Sequence, residues 1–151
     1  PLAAMVTRDA YNIATDVSLG HYTHEKSPLG SVAAVAMIEF IEKEGILAKV
    51  NADALFMKDE LETLKQKHAL IGDIRGIGLL WGIELVKNRQ TKEKAMQEAE
   101  MVLYECLFNG LSFKVSQGNV LQLSPPLTIT RQQLKAAIDI ADAAIAKAIG
   151  K

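Results

Sequence analysis

Gly72-Asp73-Ile74-Arg75-Gly76-Ile77-Gly78-Leu79-Leu80-Trp81-Gly82-Ile83-Glu84-Leu85-Val86 is the stretch on which the fold of this chain turns. Its second half alternates. Trp81, Ile83 and Leu85 fall on one side of an extended chain, and Leu80, Gly82 and Glu84 on the other. Period two over Leu79 to Val86 predicts a strand with one buried face. The first half, with glycine at 72, 76 and 78, reads as a turn-rich approach to that strand. Arg75 beside Gly76 and Gly78 is expected to tie that turn down, and Trp81 to sit in the core.

Helical periods flank the strand. Ser27-Pro28 is a helix start, with Ser as cap and Pro at the first helical position. That helix is expected to run to about Glu44 and to stop at Gly45. Val32, Val35, Ala36, Met37, Ile38, Phe40 and Ile41 leave it apolar on most sides, which predicts burial. A second helix is expected from about Ile46 to His68. Leu47, Val50, Ala54, Met57, Leu61, Leu64 and His68 form its stripe. After a break at Asn88 to Thr91, a third helix is expected to about Asn109-Gly110. Leu111–Val115 and Val120–Ser124 read as strands joined by the hairpin turn Ser116-Gln117-Gly118-Asn119. Thr130 and Gln133 form a capping box opening a last helix, with Leu134, Ile138, Ala141, Ile145 and Ile149 on one face. Residues 2–6 read as a short buried strand, Asp9 to Thr15 as a short helix, and Gly20 to Lys26 as a loop. This order predicts an α+β domain, a small antiparallel sheet backed by helices.

Composition narrows the function. Apolar residues make up 49% of the 151, enough for a core, but aromatics are only 5%, so Leu, Ile, Val, Ala and Met must fill it. A net charge of -1 with no basic block argues against nucleic acid. One cysteine, Cys106, excludes an intrachain disulfide and fits a reducing compartment, so a cytoplasmic location is expected. Cys106 itself reads as a small buried side chain. The longest apolar run, Val32 to Ile38, is too short to span a bilayer. His21, His24 and His68 invite a metal, but no cysteine or carboxylate cluster completes a site, and His68 continues an apolar stripe. There is no glycine-rich phosphate loop of nucleotide-binding spacing.

Four segments, in order, carry a family resemblance. They are Pro1-Leu2-Ala3-Ala4-Met5-Val6, Tyr22-Thr23-His24-Glu25-Lys26-Ser27-Pro28, Gly72 through Leu85, and Val120-Leu121-Gln122-Leu123-Ser124-Pro125-Pro126-Leu127-Thr128-Ile129. Together they resemble the C-terminal part of the class III aminotransferases, fold type I enzymes that use pyridoxal 5'-phosphate (PLP). The pattern is most similar to the branch that holds dialkylglycine decarboxylase and isoleucine 2-epimerase.

The resemblance implies a division of the chain. Residues 1–44 would be the end of the large PLP-binding domain with a connecting helix, and residues 45–151 the C-terminal small domain. The lysine that would hold the cofactor is expected before Pro1, so the chain alone is expected to be a non-catalytic piece. It implies that Thr23 contacts the cofactor phosphate through its hydroxyl and amide across a dimer interface. It places Tyr22 near the pocket. Gln122 stands where many members carry an arginine that pairs with the substrate carboxylate. Arginine offers a charged bidentate fork, and glutamine offers neutral hydrogen bonds only. That departure puts ordinary α-amino-acid transamination in doubt. It points to an amino-acid racemase or epimerase, with an aminotransferase on a 4-amino acid or amine as the alternative. Implied partners are the N-terminal part of the same enzyme, a second copy of the chain and a small amino-acid substrate.

Overall fold

The structure is a computed structural model that describes residues 3–14, 16–17, 20 and 27–150. The chain divides into two compact units, Pro1–Gly45 and Ile46–Lys151.

In the first unit, the expected strand is absent among the described residues 3–6, which are exposed; Met5 and Val6 are over 90% accessible. A strand needs a hydrogen-bonding neighbour, and these residues have none within the described chain. The short helix contracts to a 3-10 turn, Asp9–Tyr11. Helix α1 spans Pro28–Lys43, with the Ser27 hydroxyl accepting from the Gly30 N–H at 3.4 Å. Its end is set by Gly45, at φ 61. No residue of α1 is buried within this chain; Leu29, Val32, Met37 and Ile38 are all exposed.

The second unit holds the core. Helix α2, Ile46–Lys67, buries Ile46, Asp53, Met57, Leu61 and Leu64. Leu47, assigned above to the buried stripe, is exposed, and Asp53 takes the inward place. Strands β1 (Ile71–Ile77) and β2 (Leu80–Asn88) form an antiparallel hairpin, so Gly72 to Ile77 is a strand and not the turn its glycines suggest. The glycines serve close packing. A Cβ on Gly76 would lie 2.6 Å from both the Leu80 carbonyl oxygen and Trp81 Cε3. Gly76→Ala should therefore destabilise the protein by about 2 kcal/mol through overpacking, read as a lower urea midpoint.

A bridge of two residues, β3 (Glu93–Lys94), pairs with β2. Helix α3 (Met96–Phe108) begins later than expected, because Asn88 Oδ1 accepts from the N–H groups of Gln90 and Thr91 and holds a turn there. Strands β4 (Lys114–Ser116) and β5 (Val120–Leu123) follow, with Gln117 and Gly118 both at positive φ between them. Helix α4, Arg131–Ile149, opens with the capping box of Thr130 and Gln133. The strand order is β1-β2-β5-β4, all antiparallel. The fold is α+β, a small antiparallel sheet with helices packed on it.

Trp81, Ile83 and Leu85 are buried, as their alternation predicts, and pack with Leu121, Leu134, Ile138 and Ile145. Two polar clamps fasten α2. Arg89 donates to the carbonyls of Lys65, His68 and Ile71 at 2.6, 2.8 and 2.9 Å, closing its C-terminal end. His68 Nε2 lies 2.5 Å from Asp142 on α4. Among the described residues no helix is long and apolar enough to cross a membrane.

Candidate functional site

Antiparallel pairing puts directly opposed residues on the same face of a sheet. The registers give one row across the sheet: Arg75, Gly82, Gln122 and Lys114. The next row is Asp73, Glu84, Val120 and Ser116. Both rows lie opposite to the Trp81, Ile83, Leu121 and Leu123 positions, so they form the outer face of the sheet. The second unit thus has one apolar face packed into the core and an opposite face on which Arg75, Asp73, Glu84, Gln122, Ser116 and Lys114 stand beside the buried Val120.

Arg75 is bound on that face. Its Nη1 donates to Asp73 Oδ2 at 2.9 Å and to Glu84 Oε2 at 2.6 Å. The Arg75 hydrogen bond, outweighing partial burial, holds the Asp73 carboxyl below its ordinary value. The Glu84 and Asp73 hydrogen bonds push the guanidinium up. Arg75 thus pins β1 to β2, and is a strand residue where a turn residue was expected.

Gln122 is half-buried on β5. The Ser116 hydroxyl donates to its Oε1 at 2.9 Å. With the oxygen so engaged, the Gln122 amide NH2 is the donor left over. Gly82, beside it, carries no side chain. The space a Cβ would take there is bordered by Val120 Cγ1 at 3.2 Å and Arg75 Cγ at 3.9 Å. Lys114, directly opposite Gln122, is exposed and makes no ion pair among the described residues. This row therefore offers N–H donors and one uncommitted cation, the chemistry that an anionic ligand needs. Lys114 and Ser116 were not singled out from the sequence. The only signal for them is the hairpin turn, whose centre at Gly118 makes residues 114 and 122 equidistant.

Tyr22 and Thr23 lie outside the described residues, and so do His21 and His24. The other singled-out residues are structural. Trp81 is 7% exposed and its Nε1 donates to the Gly78 carbonyl at 2.9 Å. Cys106 is fully buried, and burial together with the Glu105 charge pushes its thiol up to about 11, so it stays protonated at neutral pH. His68 is buried against Asp142. Among the described residues no group of His, Cys, Asp and Glu side chains is placed to hold a metal ion. An apolar crevice of about 350 Å³ runs between Met57, Phe113, Pro125 and Ile138, and no titratable side chain lines it.

The aminotransferase class III family model matches residues 1–145. The (R)-1-hydroxy-2-aminoethylphosphonate ammonia-lyase of Vibrio splendidus is 60% identical over 97% of this chain and 31% of its own length. The leucine/methionine racemase of Thermococcus litoralis is 40% identical over 97% of this chain and 33% of its own. A PMP-bound aminotransferase structure from Vibrio fluvialis superposes with a TM-score of 0.82 at 25% identity, over 91% of this chain and 31% of that one. The chain spans about a third of the length of the relatives it matches. With the family model covering nearly every residue, the chain belongs to the class III aminotransferases, a family of PLP-dependent enzymes.

Proposed function

We infer that the whole protein is a PLP-dependent ammonia-lyase acting on a small phosphonate that carries an amine on one carbon and a hydroxyl on the next. The observation that carries this reading is the 60% identity to the Vibrio lyase, well above the 40% to the racemase. Gln122 supports it. Its neutral amide, with the exposed Lys114 opposite it, makes an anion contact of another kind than the arginine fork, which fits a substrate with no carboxylate on its amine-bearing carbon.

A PLP held in this enzyme would supply an electron sink for the pair left when the proton departs from the amine-bearing carbon. The hydroxyl leaves the neighbouring carbon as water. The resulting enamine tautomerises and is hydrolysed to ammonia and an aldehyde that keeps the phosphonate, so the water lost and the water gained cancel. Thr23 would hold the cofactor phosphate, Tyr22 would line the pocket, and Gln122 would orient the substrate. The exposed apolar residues of α1, Leu29, Val32 and Ile38, would be covered by the remainder of the enzyme or by a second copy.

A second reading is racemisation or epimerisation of an aliphatic amino acid, supported by the 40% identity to the racemase. The full-length enzyme separates the two. Incubated with (R)-1-hydroxy-2-aminoethylphosphonate alone, it should release ammonia and aldehyde in equal amounts. No ammonia, together with formation of D-allo-isoleucine from L-isoleucine alone, would establish the second reading instead. Turnover of a 4-amino acid only on addition of a keto acid would make the enzyme an aminotransferase. In the lyase assay, Gln122→Leu should raise KM roughly tenfold with little change in kcat, the signature of a lost hydrogen bond to a charged substrate.

A further inference from the structure

On the outer sheet face Lys114 has no carboxylate partner among the described residues; Lys94, opposite Val86, has none either, but its Nζ is spent on the Gln117 carbonyl at 3.2 Å. Lys114 is held opposite Gln122 by the β4–β5 register, which also sets Ser116 against Val120. Side chains opposed in this way have their Cβ atoms about 5 Å apart, so a ligand group touching the Gln122 amide lies within reach of the lysine stem. The Ser116 hydroxyl fixes the Gln122 amide at 2.9 Å with its N–H side free. The charge of Arg75 is already offset by two carboxylates, Asp73 and Glu84, both held by its Nη1. The result is a neutral double donor next to a mobile ammonium. A planar carboxylate is matched by the fixed fork of an arginine. A lysine ammonium binds phosphate-like oxygens as a point charge, from which a dianion gains more than a monoanion, while the Gln122 amide is left to serve a second of the three oxygens.

We propose that Lys114 and Gln122 together form the phosphonate-recognising edge of the active site, with Lys114 as the residue that selects a dianionic phosphonate over a carboxylate. The inference deepens the lyase reading and rests on it for the identity of the substrate. It places Lys114 against the substrate's far end, away from the reacting carbon, so its removal should act on binding and not on the chemical step.

Two readouts on the full-length holoenzyme test it. In the first, Lys114→Ala should raise KM for the hydroxy-aminoethylphosphonate on the order of 10- to 30-fold, with kcat and the cofactor absorbance held, and Lys114→Arg should recover most of the loss. An unchanged KM in Lys114→Ala, with the wild type active, would overturn the inference and leave the lyase reading standing. In the second, the wild type is acetylated with a limiting amine reagent, and modification of Lys114 is followed by peptide mass spectrometry. Methylphosphonate should slow that modification severalfold at a concentration where acetate does not. Protection by methylphosphonate in an enzyme inert towards the phosphonate substrate would keep the anion site and discard the lyase reading. Equal protection by both anions, or none by either, would discard the site.

Discussion

Ile83→Ala should lower the stability of the protein by about 3 to 4 kcal/mol, the range expected when a fully buried aliphatic side chain is cut back in a packed sheet. Ile83 is 0% exposed. It lies on the central strand, opposite Ile74 on one side and Leu121 on the other. Both neighbours point to the helix-covered side and leave no mobile side chain able to fill the gap, so the loss includes a cavity as well as lost transfer energy. The same strand carries Gly82 and Glu84 on its other face, so this core residue helps fix the register by which Gln122 meets Gly82. Urea unfolding should show a lower midpoint with an unchanged slope. Activity of the folded variant at low temperature should stay close to wild type, because nothing that touches the outer face is removed. Ile83→Val should cost only about 1 kcal/mol.

What was legible in the sequence was local. Trp81, Ile83 and Leu85 announce a half-buried strand by alternation alone, and Thr130 with Gln133 announces a helix start by two hydrogen bonds within four residues. What was not legible depends on partners distant in the chain. Gly72 and Gly76 look like turn residues, yet the structure uses them where Val86 and Trp81 leave no room for a Cβ. Asp53 is a polar residue in an otherwise ordinary helix, and only the fold shows that it is buried between Lys49 and Arg131. The apolar surface of α1 reads as buried because sequence period reports a need for cover and not its source. For the site, Gln122 was found through the family resemblance, as a departure from an arginine. Lys114 escaped notice because a lysine on a strand edge has no meaning until the register places it beside Gln122.

Asp53→Ala should cost about 3 kcal/mol, near the lower end for breaking a buried ion pair, because the cations left behind can regain water. The carboxylate side chain is 6% exposed, against 33% for Lys49 and 56% for Arg131. It is a junction of three segments. Lys49 Nζ donates to Asp53 at 2.7 Å and to the Leu127 and Ile129 carbonyls at 3.1 and 2.6 Å. Arg131 donates through Nε and Nη2 at 3.2 and 3.0 Å from the first turn of α4, with its guanidinium 5.3 Å from the centre of the Phe56 ring. Removing the carboxylate leaves Lys49 and Arg131 facing each other without a counter-charge and frees the segment after Pro126.

The pH dependence of that loss has a definite sign. Burial by itself pushes the Asp53 carboxyl up, but the Lys49 and Arg131 hydrogen bonds and charges outweigh it and hold the group below its ordinary 3.8. Asp142, partly buried and paired with Lys67 and His68, is lowered in the same way. A carboxyl whose value is depressed in the folded state binds its proton first in the unfolded state. Its contribution is therefore complete at neutral pH, begins to fade as pH falls towards 3.8, and is gone once pH passes below the folded value. The stability gap between wild type and Asp53→Ala should accordingly be flat from about pH 7 to about pH 5 and shrink below that, read by urea unfolding at a series of pH values. A gap that stayed constant down to the acid limit would mean that Asp53 holds α2 and α4 together by packing alone.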